Sequence, residues 1–422
     1  MARVRRQVAE REAETRVITV EVMGAQGDGV AASLFAAGTL PGEEVLARIA
    51  GDRAEVVEIL QASAERVAPP CPHFGACGGC ALQHWASAPY LAWKSEEIRR
   101  ALARMRIETD ILGAFAAPPR SRRRLALHVR RQGRGAVIGF KSRRSWTLAP
   151  IETCMIADPR LVAAFPALRR VAAPFLEHPK SAPTLHVTLA LTGLDIDVTG
   201  VERRGGGLSA DARVAAAHEA AKADIARVTL AGEIIYQARP ALVRLGAATV
   251  ALPPGAFLQA VASAEEAMAA FILREGAGAR RIADLYCGVG AFSFPLAAVA
   301  PVRAADVSAP AIAALRAAAA SAPGLHPIEA EARDLDRRPM LAQDLKRTDL
   351  AVFDPPRAGA AVQCAELARS GVARVIGVSC NLATFARDAG ILTRGGFTLE
   401  RVLPVDQFLW SPHIELVGLF SR

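Results

Sequence analysis

The sequence predicts an α/β protein whose C-terminal part is a doubly wound, mostly parallel sheet, preceded by two β-rich units. Three observations predict it. From about residue 250, short apolar runs (ARRIADLYCG, VRAADVS, DLAVFDPPR, RVIGVSCN) each lead into a helix-like stretch, the alternation of βαβ units around a parallel sheet. The last two runs, FTLERVLPVDQF and HIELVGLFS, have no helix between them and are expected to end the sheet as an antiparallel hairpin. Residues 1–66 carry short strands punctuated by glycine (ITVEVMG, GDGVAAS, EEVLARIAG, RAEVVEIL), the pattern of a small β-barrel of the oligonucleotide-binding kind. Between these, residues 67–245 hold one helical stretch, ASAPYLAWKSEEIRRALARM. The rest of that segment alternates (LALHVRR, AVIGFKS, TLHVTLALTG, LDIDVTG) as an antiparallel sheet does. The expected division is 1–66, 67–245 and 246–422.

Composition narrows the function. With 52% hydrophobic and 22% charged residues in 422, the chain is globular rather than disordered. A net charge of +9 favours a polyanionic partner. The N-terminus MARVRRQVAEREAETR lacks the apolar core of a secretory signal, and no run is long and apolar enough to span a membrane. A cytoplasmic location, where thiols stay reduced, is the expectation. Seven cysteines there point to metal or catalysis rather than disulfides.

Cys71, Cys77 and Cys80 in CPHFGACGGC are close enough to converge on one metal or cluster, and Cys154 in ETCMIAD is the candidate fourth ligand. Four thiolates suit a [4Fe–4S] cluster or zinc, and spacing does not separate them. In IADLYCGVGAFSFPLA a strand ends at Asp284, a turn follows at Gly288 and Gly290, and a helix begins. Glycines there let the backbone approach a ligand over the helix N-terminus, and Asp306, ending the next strand, suits ribose hydroxyls. NAD and S-adenosylmethionine (SAM) both fit this loop. VFDPPRAG places Asp354 at a strand end before two stiffening prolines, which favours a SAM methyltransferase; Arg357 stands where an aromatic follows in enzymes that methylate exocyclic amines.

In a doubly wound sheet the glycine loop, Asp354 and Cys380 all lie at the carboxyl ends of strands and share one crevice. A methyl donor and a thiol together suggest methylation of a pyrimidine at C5. That carbon becomes nucleophilic once a thiolate adds to C6, and a base must then remove the C5 proton. Cys380 is the candidate nucleophile and Glu415 in PHIELVG the candidate base. Residues 120–144, RSRRRLALHVRRQGRGAVIGFKSRR, contain no acid and alternate with apolar residues. They are expected to form a positive sheet face for phosphate contacts.

These motifs, in this order, resemble the RNA uridine-C5 methyltransferases, and most closely the 23S ribosomal RNA branch with an N-terminal TRAM domain and an iron–sulfur cluster. GDGVAAS…AAGTLPGEEVLARI looks like TRAM, CPHFGACGGCALQH like the cluster motif, and FLQA, DLYCGVGAFSFPLA, VFDPPRAG, VSCNLATFARD and HIELVGLF follow in the family's order. The resemblance implies a Rossmann-like class I SAM methyltransferase fold behind an OB-like TRAM barrel and a cluster-bearing central unit. It makes Cys380 the nucleophile, Glu415 the base and Cys154 the fourth ligand of a [4Fe–4S] cluster. It places Gln259, Tyr286, Asp306 and Asp354 on SAM, and Asp334 near the adenine. Four positions depart from the usual pattern: Val261, Ala291 and Leu382 replace Asn, Asn and Pro, and Asp306 replaces Glu. The expected substrate is RNA, ribosomal before transfer RNA, bound by a monomer with no membrane partner. The rival expectations are a transfer RNA enzyme and a non-catalytic RNA-binding protein with a vestigial SAM site.

Overall fold

The computed structural model describes residues 14–133, 135–202 and 207–422; the charged N-terminal stretch to residue 13, and Arg134 of the basic run, lie outside the described residues. Strands β1 (Glu14–Thr19), β2 (Val22–Met23), β3 (Asp28–Ala31), β4 (Leu34–Ala37), β5 (Glu44–Ala50) and β6 (Arg53–Gln61) form one sheet in the order β1-β5-β6-β4-β3-β2. Only Val20 and Glu21 separate β1 from β2, and their N–H groups bond Glu43 O and Val30 O. The two ends of the order are thus one bent run of chain, and the sheet closes on itself. Strand alternation turns Ile18, Ala31, Leu34, Ala36, Val45 and Ala47 into its core.

After helix α1 (Ser87–Ala103) and the short strands β7 (Asp110–Ile111) and β8 (Phe115–Ala116) comes a second sheet. It is built from β9 (Arg124–Gln132), β10 (Gly135–Lys141), β11 (Leu148–Pro150), β12 (Thr184–Ala190), β13 (Gly193–Thr199), β14 (Arg227–Leu230) and β15 (Glu233–Gln237). Its order is β11-β10-β9-β12-β13-β14-β15, antiparallel except between β13 and β14. The connecting helices α2 (Pro159–Ala163), α3 (Phe165–Ala172) and α4 (Ala210–Lys222) share a core with Leu125, Leu127 and Val129 on one face. Ala126, His128, Arg130 and His186 therefore point from the other face.

The C-terminal sheet follows the hairpin β16 (Leu242–Leu245) and β17 (Ala248–Ala251) and helix α5 (Ala262–Glu275). In chain order its elements are β18 (Ile282–Leu285), α6 (Ser293–Ala297), β19 (Val302–Asp306), α7 (Ala309–Ser321), β20 (Ile328–Ala332), β21 (Leu350–Phe353), α8 (Ala361–Arg369), β22 (Arg374–Ser379), α9 (Leu382–Arg394), β23 (Thr398–Asp406) and β24 (Glu415–Ser421). The spatial order is β20-β19-β18-β21-β22-β24-β23-β7, with β8 also on β23. β18 to β22 run parallel, and β24 returns antiparallel beside β22. β18 and β21 are buried along their whole length, as strands covered by helices on both faces must be. No described helix is long and apolar enough to cross a membrane.

Two expectations are corrected here. The division at residues 245 and 246 falls inside the β16–β17 hairpin, whose Val243, Leu245, Ala248 and Val250 bury into the C-terminal core. Likewise β7, β8 and α1, assigned to the central segment, join the C-terminal sheet; Ile98, Leu102 and Ile107 pack with Val402 and Phe420. Apolar pattern marks α1 as a helix but does not show which sheet edge receives it or the short strands around it. The basic run is also not one phosphate-facing surface. Arg123 donates to Gln259 O (3.0 Å) and to Glu265 (2.8 Å), and Arg124 to Leu258 O (2.6 Å) and Ala256 O (3.2 Å). Arg131 bonds Leu176 O. The irregular backbone of 256–259 has carbonyls that need donors, and the arginines supply them.

Helix α1 is anchored by charge in the core. Lys94, 1% exposed, donates to Asp406 Oδ1 and to His413 O, both at 2.6 Å, and Tyr90 Oη donates to Asp406 Oδ2 at 2.7 Å. Burial pulls the Lys94 ammonium down to about 8 against the attraction of Asp406. Replacing Lys94 by Met leaves a buried carboxylate without its cation. The expected loss in unfolding free energy is about 3–5 kcal/mol, read by chemical denaturation.

Candidate functional site

The carboxyl edge of the C-terminal sheet carries the candidate nucleophile and base. β22 ends at Ser379, which pairs with Leu416 of β24, so the next residue, Cys380, stands level with Glu415. Cys380 is half-buried at the start of α9, whose Asn381 caps the helix through Ala383 N (3.0 Å). Asn381 Nδ2 also donates to Arg357 O (3.1 Å), which holds Arg357 beside the thiol. Burial and then Glu415 push the Cys380 thiol up, while Arg357 opposes them.

Behind the thiol runs a buried chain of side chains. Gln259 Nε2 donates to Asp354 Oδ2 (3.0 Å), and Gln407 Nε2 donates to both Gln259 Oε1 and Glu415 Oε2 (2.7 Å each). Gln407 Oε1 accepts from Ala260 N (3.1 Å). Burial, and then the charge of Asp354, hold Glu415 well above the ordinary carboxylate range; burial also raises Asp354. Glu265 and Asp284 are pushed up to about 7, chiefly by burial. In each of them burial disfavours the charged form.

The glycine loop lies at the same edge. Tyr286 follows β18 in the left-handed region (φ +62°), as do Gly288 (+54°) and Gly290 (+97°). Gly288 N donates to Asp306 Oδ2 (2.9 Å) and Ser308 N to Asp306 Oδ1 (2.7 Å). A Cβ at Gly288 would meet open space, so the loop has a cradle that a ligand can fill; one at Gly290 would strike the Phe294 ring at 2.8 Å. Arg333 N bonds Asp306 O, which sets Asp334 beside the end of β19, where its carboxylate accepts from Asp336 N and Arg337 N. Tyr286 Oη donates to Asp336 (3.0 Å). These residues fit a nucleoside-bearing cation.

Cys71, Cys77, Cys80 and Cys154 line one cavity of about 300 Å³, together with Arg122, Arg357 and His413. His73 Nε2 accepts from Glu152 N (3.1 Å) and Thr153 N (3.4 Å), which brings Cys154 to the loop of the other three. Burial pushes up the thiols of Cys77, Cys154 and Cys80, the last to about 12, and the cysteines repel one another's charge. Among the described residues no group of three or more His, Cys, Asp or Glu stands ready to hold a single metal ion. The loop is tied to the crevice, since Ala81 N and Leu82 N both bond Trp410 O in the segment leading to Glu415.

The structure thus gathers Cys380, Glu415, Gln259 and Asp354 in one place, with Tyr286, Gly288, Gly290, Asp306 and Asp334 along the adjoining strand ends. The sequence reading missed Gln407, whose amide joins the two halves of the buried chain. Nothing in VDQF marked it, because its importance comes from burial against residues remote in the chain.

Residues 251–422 match the profile of the tRNA (uracil-5-)-methyltransferase family. The chain is 64% identical over 96% of its length, and 99% of the other's, to an uncharacterized RNA methyltransferase of Caulobacter vibrioides. It is 33% identical over 96% of its length to the Halomonas elongata 23S rRNA (uracil(1939)-C(5))-methyltransferase, of which 89% is covered. Among solved structures it is similar to the Pyrococcus abyssi tRNA (uracil-54, C5)-methyltransferase in complex with S-adenosyl-L-homocysteine. That likeness has a TM-score of 0.71 and 21% identity, over 96% of this chain and 99% of the other. The C-terminal sheet is accordingly a class I methyltransferase fold, and the chain belongs to the RNA (uracil-C5)-methyltransferase family, a SAM-dependent family of enzymes.

Proposed function

We propose that the enzyme makes 5-methyluridine at a specific uridine of 23S ribosomal RNA through a covalent bond from Cys380. The observation that carries this reading is that Cys380 and Glu415 each lie one residue from the Ser379–Leu416 pair, side by side at the carboxyl edge of the sheet. The ribosomal substrate is supported by the Halomonas relative, and transfer RNA is the alternative. A uridine swung out of an RNA loop reaches the crevice. The Cys380 thiolate adds to C6, and the C5–C6 π electrons move toward O4. Bound SAM would supply an electrophilic methyl group for C5, its S–CH3 bond breaking to leave a neutral thioether. Glu415 accepts the C5 proton, the C6–S bond breaks, and Cys380 leaves as thiolate. Gln407 holds the Glu415 carboxylate in place, and Arg357 steadies the thiolate. Asp306 is proposed for the ribose, with Tyr286, Gly288 and Gly290 around the cofactor, Asp354 and Gln259 at its reactive end, and Asp334 toward the adenine.

The closed N-terminal sheet is proposed as a TRAM-type RNA-binding unit. Burial, and then Lys141, Arg130 and His186, lower His128, so the central sheet face adds positive potential. Cys71, Cys77, Cys80 and Cys154 are proposed to hold a [4Fe–4S] cluster. A single zinc ion binds sulfur at about 2.3 Å and draws its ligands into one tight group. Four thiols lining one cavity suit a single occupant bound through sulfur, and the likeness of CPHFGACGGCALQH to the cluster motif favours the cluster. Its role is structural, because the transfer needs no electron and the cluster loop supports the segment before Glu415. The protein is proposed to act as a cytoplasmic monomer.

Incubated with SAM and 5-fluorouridine-substituted ribosomal RNA, the enzyme should form a denaturation-resistant protein–RNA complex, absent with Cys380→Ala. No complex despite bound SAM would remove Cys380 from the mechanism. Glu415→Gln should trap the same linkage on ordinary uridine, since the C5 proton has no acceptor. A free carboxylate ionises near pH 4.3 and would accept that proton throughout the neutral range. The raised Glu415 is instead protonated as pH falls toward and below neutrality, so single-turnover product release should slow over pH 8 to 6. Protein purified without oxygen should contain iron and acid-labile sulfide in equal amounts, and Cys80→Ser should lose both while keeping SAM affinity. Zinc in place of iron would overturn the cluster assignment.

A further inference from the structure

Trp146 is 81% exposed, the most exposed large apolar side chain among the described residues. It sits at the tip of the β10–β11 hairpin, where Ser142 N bonds Thr147 O and Ser145 N bonds Ser142 O. The tip is a fixed turn, not a loose loop. Lys141 Nζ lies 3.7 Å from the centre of the indole and covers one of its faces. An indole left in water gains nothing for folding, so its placement asks for a ligand.

The surroundings are cationic. Asp28, 1% exposed, is shared by Arg53 (3.0 Å), Arg143 (2.8 Å) and Arg144 (2.5 Å), with Asp52 3.6 Å from Arg53. With Lys141, four cations face two carboxylates. Arg53 and Arg144 keep 45% and 43% of their side chains exposed. The Asp28 cluster also joins two parts of the chain: Arg53 and Asp28 belong to the closed N-terminal sheet, and Arg143 and Arg144 to the hairpin. Gly78 of the cysteine loop donates to Lys141 O at 3.0 Å, and a Cβ there would lie 2.5 Å from that oxygen. The cysteine loop in turn bonds Trp410 O, in the segment leading to Glu415. The hairpin is thereby held at a fixed offset from the crevice.

We propose that the hairpin tip is a second RNA site, separate from the crevice, in which the free face of Trp146 stacks on an unpaired base. Lys141 and the Arg53–Arg143–Arg144 cluster hold its flanking phosphates. Aromatic side chains bind single-stranded bases in this way without reading their sequence, and neighbouring cations hold the backbone. The site grips the strand beside the target, so it governs RNA affinity rather than the methyl-transfer step. This inference rests on RNA being the substrate.

The test uses the full-length enzyme and a fluorescein-labelled single-stranded oligouridylate, with an RNA duplex of equal length as control. Trp146→Ala should weaken binding of the single strand by about tenfold, the scale of one lost aromatic stack. It should leave duplex affinity, SAM affinity and the rate at saturating ribosomal RNA unchanged. Trp146→Phe should restore most of the affinity. Indole emission should be quenched by the unlabelled single strand in the parent enzyme and not in Trp146→Phe. Equal affinity of Trp146→Ala and parent would overturn the proposal and leave the indole as a protein-docking surface. An equal loss on the duplex would overturn it in favour of phosphate binding alone. A parent enzyme that transfers no labelled methyl from SAM to any RNA would overturn the RNA reading itself, and this site with it.

Discussion

One buried chain of hydrogen bonds, Asp354–Gln259–Gln407–Glu415, holds the site together. Its members come from the end of β21, the segment before α5, the end of β23 and the start of β24. No pair of them is local except Gln407 and Glu415. Each link is 3.0 Å or shorter, and Gln407 can donate to both neighbours only because its own oxygen is fixed by Ala260 N. Buried amides and carboxylates carry a large penalty when unpaired, so the four elements must arrive together for any of them to be stable. The same penalty raises the carboxylates, and so couples the architecture to the proton affinity of the site.

The arginines before β9 extend this logic outward. A run with no acid in it reads as a phosphate-binding face. The folded chain instead turns Arg123 and Arg124 toward the carbonyls of 256–259, the segment that carries Gln259. Part of the positive charge thus becomes scaffold for the crevice, and part remains outside on the central sheet and the β10–β11 hairpin. The cysteine loop lies between, bonded on one side to the hairpin through Gly78 and on the other to Trp410 O. The β10–β11 hairpin, the cysteine cavity and the crevice are therefore mechanically continuous.

The residues gathered at the carboxyl edge of the C-terminal sheet were largely legible in the sequence. Strand-to-helix transitions leave local marks: an apolar run ending in Asp, Gly or Cys before a helical pattern. Every parallel strand of a doubly wound sheet presents that mark at the same edge. Cys380, Asp354, Asp306 and the glycine loop were found that way. Glu415 followed from the hairpin alone, because an antiparallel return must begin where its parallel neighbours end.

The sequence by itself determined the strand–helix alternation of the C-terminal sheet and the edge at which Cys380, Glu415 and Asp354 lie, since both follow from periodicity and chain direction; in residues 67–245 it marked one helix, where the structure also has α2, α3 and α4. Only the tertiary structure decided the assembly. It set β7, β8 and α1 on the C-terminal sheet, turned the arginines inward, brought Cys154 to the other thiols and put Gln407 between Gln259 and Glu415. The physical reason is the same in each case. A strand edge, a guanidinium, a thiol or an amide is indifferent to its partner until burial removes water, and which groups are buried together is a property of the whole fold.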